Sequence, residues 1–155
     1  MSLYRSLDPK YKQYIISEYD HWTLLINDDQ AYLGRAYAWL VRQGEMQRLT
    51  SLTSLEREEL FEVVLREYEA ALDELWQPDH MNYAWLGNYF RQHGGHGHMH
   101  LIPRYSGDRK LGTLIFRDIR WEMNYTPHAR KTPSVRTLLK IRNMLCEKIP
   151  GSVKE

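Results

Sequence analysis

The chain contains little that would cross-link it or anchor it in a membrane. Cys146 is the only cysteine among its 155 residues, which excludes an intrachain disulfide and a cysteine-based zinc site. No apolar run approaches the roughly eighteen residues that a membrane-spanning helix requires. Residues 1–5 lack the apolar stretch of a signal peptide. We therefore expect a cytoplasmic protein with no membrane partner.

Net charge is also low, at +1, but it is unevenly distributed. Residues 1–104 hold 10 Lys and Arg against 15 Asp and Glu, which gives −5, whereas residues 105–155 hold 11 against 5, which gives +6. The basic part fits a solvated helix with its approach loop, or an arm facing an anionic ligand such as a polyphosphate or a nucleic acid. We favour the first interpretation and do not expect a nucleic-acid partner.

Hydrophobic periodicity predicts one long helix in the middle of the chain. Thr53 and Glu56 form a capping box, and apolar residues then recur at three- and four-residue spacing. These signals predict a helix over residues 54–76. A second helix is expected to begin at Thr132-Pro133. The inward-facing residues of this last helix should be Val135, Leu138, Leu139, Leu145 and Ile149.

Strand-forming segments surround the long helix. After a short helix over residues 11–19, which follows an N-cap at Asp8, strands are predicted over residues 21–27, 33–41, 81–86, 95–105 and 113–116. The order has too few βαβ units for a doubly wound sheet. We therefore expect a single α+β domain over residues 1–155, with the long helix packed on an antiparallel sheet.

The most informative segment is residues 96–104, which read HGHMHLIPR. Because a strand alternates its faces, His96, His98 and His100 should point the same way, at about 7 Å intervals. Such a triple fits three interpretations: solvated surface residues, a metal site that would include His93, or phosphoryl chemistry with imidazole as nucleophile and proton donor. The spacing disfavours the first interpretation.

This spacing, followed by two apolar residues, resembles the signature of the histidine triad (HIT) family, and Pro103-Arg104 is typical of its hydrolase branch. The resemblance covers residues 20–105, with Asn27 at the end of the first strand and Asn88 after the long helix. It implies an α+β fold with an antiparallel sheet, the long helix packed on it and an additional C-terminal helix, usually in a homodimer. Residues 106–155 form an extension to which no role transfers.

The resemblance also implies a reaction and a set of roles. His98 would attack the α-phosphate of a dinucleoside polyphosphate or a nucleoside phosphoramidate and form a nucleotidyl-histidine. His100 would assist the leaving group or hold the phosphate oxygens, and His96 would orient the site and contact the phosphate. A histidine at position 100, where the transferase branches carry glutamine, favours hydrolysis. No cofactor is required, although a divalent metal could bind adventitiously at the histidine cluster.

Four further residues are candidates for nucleotide binding. Asn27 matches the ribose-binding asparagine of the family, and Asn88 lies where the family contacts the phosphate. Trp22 is our choice for a contact with the base, because the first strand lines the purine pocket in this family. Arg104, beside the triad strand, would contact phosphate or form a dimer salt bridge.

Three features depart from the family pattern. Arg35 replaces a histidine that commonly follows the glycine before the second strand, and Gly97 occupies a position that is normally bulky and apolar. The loop over residues 92–95 is longer than usual. These departures support an alternative function, a nucleotide-binding or sensing protein with little catalysis; a histidine-cluster metal-binding protein is a further alternative.

Overall fold

Five antiparallel strands form the main sheet of the protein. The computed structural model describes residues 9–44, 48–93, 95–126 and 131–153, but not the side chains of residues 91–93. The strand order is β1-β2-β3-β5-β4. The strands are β1 (Ile15–Glu18), β2 (Trp22–Ile26), β3 (Ala36–Gln43), β4 (His80–Trp85) and β5 (His96–Arg104). Strand β5 is therefore flanked by β3 and β4, and β4 lies at an edge of the sheet.

The long predicted helix is confirmed, with one local irregularity. It consists of α1 (Ser54–Glu59), a π-helical turn (Leu60–Val64) and α2 (Leu65–Leu75). Its capping box is also present: the Thr53 side chain accepts from the backbone of Glu56, whose carboxylate accepts from the backbone N–H of Thr53 at 2.8 Å. The buried stripe of this helix packs on one face of the sheet, which we call the helix face.

The C-terminal helix α3 (Val135–Lys148) packs against α2 and β1. Ser134, rather than Thr132, is its N-cap, because its side chain accepts from the backbone N–H of Thr137 at 3.2 Å. The expectation that Val135 faces inward is wrong: this residue is 53% exposed. Ile141 is fully buried in its stead, because the inward stripe of the helix begins one turn later.

The predicted helix over residues 11–19 is corrected by the structure. A short 3-10 helix covers Pro9–Tyr14, and β1 begins directly after it. Ile15 is paired with Leu25 of β2, and both Ile15 and Ile16 are almost fully buried. Pairing with an existing strand outweighs the weak helical spacing of the tyrosines, since β-branched residues pack well on a pleated sheet. Asp8, the proposed N-cap, lies outside the described residues.

The remaining strands form a two-stranded ribbon of β6 (Arg109–Leu111) and β7 (Leu114–Phe116). The α+β class is confirmed, with an antiparallel sheet, the long helix and a C-terminal helix. Within the described ranges, no helix is long and apolar enough to cross a membrane. The face of the sheet opposite the helices carries a second, smaller apolar cluster of Ile15, Leu25 and Trp39.

Candidate active site

The three histidines of β5 lie on that opposite face, which we call the triad face. Strand alternation directs His96, His98 and His100 to the same side. On the neighbouring strand β3, Trp39 is the register partner of His98 and Tyr37 is that of His100. The rings of His98 and His100 are 5.2 Å apart between centroids. The two rings can therefore act on one phosphate-sized group.

Hydrogen bonds to backbone carbonyls orient two of the imidazoles. Nδ1 of His96 lies 2.8 Å from the Leu40 carbonyl oxygen, and Nδ1 of His98 lies 3.3 Å from the His96 carbonyl oxygen. A carbonyl only accepts, so Nδ1 is the donor in both rings, and the lone pair of each neutral ring is at Nε2. Burial lowers the pKa of His96 below its ordinary value, although its bond to Leu40 acts in the opposite direction.

Aromatic side chains surround the central histidine. The ring of Trp39 stacks on His98 at 5.1 Å and 22°, and Phe90 contacts the same imidazole at 5.1 Å. Tyr37 meets His100 edge-on at 6.0 Å, and burial raises the pKa of the Tyr37 hydroxyl. His98 is only 3% exposed. Such packing restricts the ring to one orientation.

Asn27 lies at the end of β2 on the triad face, next to the start of β3. Its backbone N–H donates to the Arg35 carbonyl at 3.0 Å, and its side-chain oxygen accepts from the Asp29 backbone at 2.9 Å. Asn27 thus lies on the same face as the triad, two strands from β5, whereas Asn88 is an exposed residue of the 3-10 helix over Gly87–His93. The ribose and phosphate roles of these two asparagines stay predictions.

The choice of Trp22 for a base contact is corrected by its position. Trp22 is fully buried on the helix face, and its indole N–H donates to the Glu56 carbonyl at 2.8 Å. Alternation along β2 directs Thr23 and Leu25, not Trp22, to the triad face. The residue on β3 whose indole lies beside the histidines is Trp39.

Arg104 is also placed away from the triad. It follows His100 by four residues, about 13 Å along a strand. Its guanidinium binds both carboxylate oxygens of Asp118, at 2.6 and 3.2 Å, and the side-chain oxygen of Asn82 at 2.7 Å. These bonds attach the segment after β7 to the end of β5. They give Arg104 a structural role and leave it without the predicted access to phosphate.

Sequence reasoning missed three residues of the triad face: Arg35, Tyr37 and Trp39. Position 35 stands out in the sequence only as a departure from the family pattern, and Tyr37 and Trp39 belong to no motif. The available signal was the two-residue period of β3, because a strand that pairs with the histidine strand must direct alternate residues to the same face. Gly97 of β5 is buried, and alternation places it on the helix face.

The histidine cluster is not arranged as a metal site in the part of the chain that the structure describes. No group of three or more His, Cys, Asp or Glu side chains there could hold a metal ion. The side chain of His93, the fourth ligand of the metal alternative, lies outside that part.

Comparison with known proteins identifies the fold. No family model matches the chain, and no curated protein matches it. A histidine triad protein from Bradyrhizobium japonicum has the same fold, with a TM-score of 0.63 and 20% identity over 92% of this chain and 96% of that one. The Plasmodium falciparum diadenosine triphosphate hydrolase gives a TM-score of 0.56 and 14% identity, over 91% and 77% of the two chains.

The C. elegans NitFhit protein, which is much longer than this chain, contains a region of similar structure. It gives a TM-score of 0.61 and 18% identity over 88% of this chain, which spans only 27% of that protein. At these identities the likeness establishes the fold alone. The chain has the fold of the histidine triad proteins, so the resemblance seen in residues 20–105 is confirmed at the level of structure.

Proposed function

We propose that this chain is a nucleotide hydrolase of the histidine triad type, with His98 as the nucleophile. The observation that carries the proposal is the bond from Nδ1–H of His98 to the His96 carbonyl, with the ring of His100 5.2 Å away. This bond places the lone pair of the neutral His98 ring on Nε2, the atom that would attack phosphorus. The solved structures of the same fold include a diadenosine triphosphate hydrolase, which supports a nucleotide substrate.

In the first step, Nε2 of His98 attacks the α-phosphorus of the nucleotide. A nitrogen–phosphorus bond forms while the bond from phosphorus to the leaving group breaks, and the leaving atom takes the electron pair. His100, as the neighbouring imidazole, donates a proton to that atom. The carbonyl of His96 stabilises the positive charge on the ring of His98, because it accepts the Nδ1 hydrogen throughout.

In the second step, water attacks the phosphorus of the nucleotidyl-histidine. The nitrogen–phosphorus bond breaks as the new oxygen–phosphorus bond forms, and His100, which gave up its proton in the first step, accepts a proton from the water. The nucleoside monophosphate leaves, and His98 is neutral again. Tyr37, which is half-buried and packs against the buried apolar cluster of Ile15, Leu25 and Trp39, is the aromatic residue of the triad face that would contact a base. Asn27, next to that cluster, would bind the ribose. None of these steps requires a metal cofactor, since the imidazoles supply both the nucleophile and the proton.

The test is a rapid acid quench of the protein during turnover of diadenosine tetraphosphate labelled in the α-phosphate, without added metal. We expect acid-labile label on the wild-type protein and none on His98→Ala. As a control for folding, the wild type and His98→Ala should each unfold in one cooperative transition. Full turnover by His98→Ala would refute the assignment of the nucleophile. Nucleotide binding with no turnover and no label would favour the binding or sensing alternative, which the burial of His96 and His98 at 3% exposure each also suits.

We propose further that the protein is a homodimer that pairs through β4. This strand lies at the edge of the sheet, and an unpaired edge offers its backbone groups to a second chain. Next to it, Tyr83 is 44% exposed and Phe61 is 51% exposed. These two residues line a predominantly apolar groove with Leu65 and Met99. A second copy with the same edge and the same groove would cover both.

A further inference from the structure

Three arginines in the described part of the chain are deeply buried, and they differ in how their donors are used. Arg35, Arg104 and Arg142 are each 4% exposed. Arg104 donates to a carboxylate, an amide and two backbone carbonyls. Arg142 donates to the Ile15 carbonyl and to the side chain of Asn143, both at 2.8 Å. Both residues thus have the partners expected of a structural arginine.

Arg35 is satisfied less completely. Its Nη1 lies 3.1 Å from Oδ2 of Asp29, but its Nε is buried without a hydrogen-bond partner among the described residues. A guanidinium has five N–H donors arranged for bidentate binding. The pair with Asp29 uses one of them, because the other oxygen of this carboxylate accepts from the backbone of Ala31 and Lys131, both at 3.0 Å.

Strand register places Arg35, whose N–H donors are not all hydrogen-bonded, on the triad face. Residue 35 directly precedes β3, in register beside Asn27. It lies two residues before Tyr37, the register partner of His100. Arg35 and His100 are therefore diagonal neighbours across β3 and β5, about 7–8 Å apart at their backbones and within reach of a long side chain. The ring of Tyr125 covers the guanidinium at 5.6 Å.

We infer that Arg35 is a specificity-determining residue that binds an oxygen of the substrate's phosphate chain and so favours dinucleoside polyphosphates over nucleoside phosphoramidates. This inference rests on the proposed function. Cleavage of a dinucleoside polyphosphate transfers an electron pair to a phosphate oxygen, and the leaving nucleotide carries negative charge on its phosphate chain even when His100 protonates that oxygen. A fixed guanidinium stabilises that charge. Cleavage of a phosphoramidate releases an amine, which needs a proton from His100 and gains nothing from a nearby cation.

The experiment compares kcat/KM for diadenosine tetraphosphate and adenosine 5′-phosphoramidate in the wild type, Arg35→Gln and Arg35→Lys. We expect Arg35→Gln to lower kcat/KM for the polyphosphate about 100-fold, in the range seen when one charge-stabilising donor is removed from an active site. The phosphoramidate value should fall less than about tenfold. Arg35→Lys, which keeps the charge but loses the planar fork, should lie between. Arg142→Gln is the matched control for the loss of a buried arginine, and its two values should change by one common factor.

Equal losses for both substrates in Arg35→Gln would overturn the inference and make Arg35 a support for Asp29. Because Arg35→Gln leaves Asp29 without its cation, the double variant Arg35→Gln with Asp29→Asn is measured as well. It removes both charges of the pair, and the same preferential loss is expected. A double variant that regains the wild-type substrate preference would also refute a contact between Arg35 and phosphate.

Failure of the proposed function gives a different result. If the wild type hydrolyses neither substrate, the binding of ADP and of adenosine is measured by calorimetry. A contact between Arg35 and phosphate then requires that Arg35→Gln raise the dissociation constant of ADP at least tenfold and leave that of adenosine unchanged. Equal weakening of both ligands, or a wild type that does not prefer ADP to adenosine, would refute the inference about Arg35.

Discussion

Gly34, the residue that precedes Arg35, gives a sharp test of how the start of β3 is fixed. Its φ is +86°, and a Cβ at this position would lie 2.7 Å from Cδ2 of Leu72 and 3.0 Å from Cζ3 of Trp76. The left-handed conformation costs an alanine about 1–2 kcal/mol, and overpacking adds about 1–3 kcal/mol. We therefore expect Gly34→Ala to lower the free energy of unfolding by about 2–5 kcal/mol.

The matched control is Gly112→Ala. Gly112 has a φ of +60°, and no heavy atom lies within 4 Å of the Cβ that the substitution would add. Of the two costs, only the conformational one of about 1–2 kcal/mol applies there. Both variants also reduce the entropy of the unfolded chain by similar amounts, so this contribution cancels when the two are compared. Urea unfolding followed by circular dichroism gives both values. Equal losses of unfolding free energy in the two variants would refute the cost assigned to overpacking at Gly34. No loss in either variant would also refute the cost assigned to the left-handed conformation.

Two further predictions concern pH and assembly. Burial lowers the pKa of His96 below its ordinary 6.5, so the unfolded chain takes up this proton at a higher pH than the folded protein does. The free energy of unfolding should therefore fall as the pH drops below about 6.5. His96→Asn should flatten that part of the profile, and an unchanged slope would contradict it. Tyr83→Lys introduces a charge beside the exposed edge of β4 and should convert a dimer to a monomer in sedimentation velocity; a wild type that sediments as a monomer would refute pairing through this edge.

The elements that the sequence predicts well are those in which local and tertiary signals agree. The long helix has a capping box at its first turn and a continuous apolar stripe, so its propensity and its burial favour the same structure. The first element is the opposite case. Tyr11 and Tyr14 have helical spacing, but Ile15 and Ile16 gain more from burial in the sheet. That gain depends on β2, which no local pattern around residue 15 reveals.

The candidate site divides in a similar way. The three histidines are recognisable because they lie on one strand, where a two-residue period alone fixes their common face. The prediction of a base contact for Trp22 fails because the face on which a residue lies depends on the phase of its strand relative to the sheet, which the local sequence does not reveal. Trp22 and Trp39 lie on opposite faces, and a shift of one residue in either strand would exchange their environments.

The two arginines near the triad show why sequence proximity is a poor guide to a binding role. Arg104 is on the triad strand, yet its donors are used by Asp118, Asn82 and two backbone carbonyls, so an anion could bind it only by breaking these bonds. Arg35 is 65 positions from His100, but register across β3 and β5 makes the two residues neighbours and leaves its Nε without a partner among the described residues. A buried cation is available to a ligand in proportion to the donors that the fold has not already used. By that criterion Arg35, and not Arg104, is the arginine to substitute first.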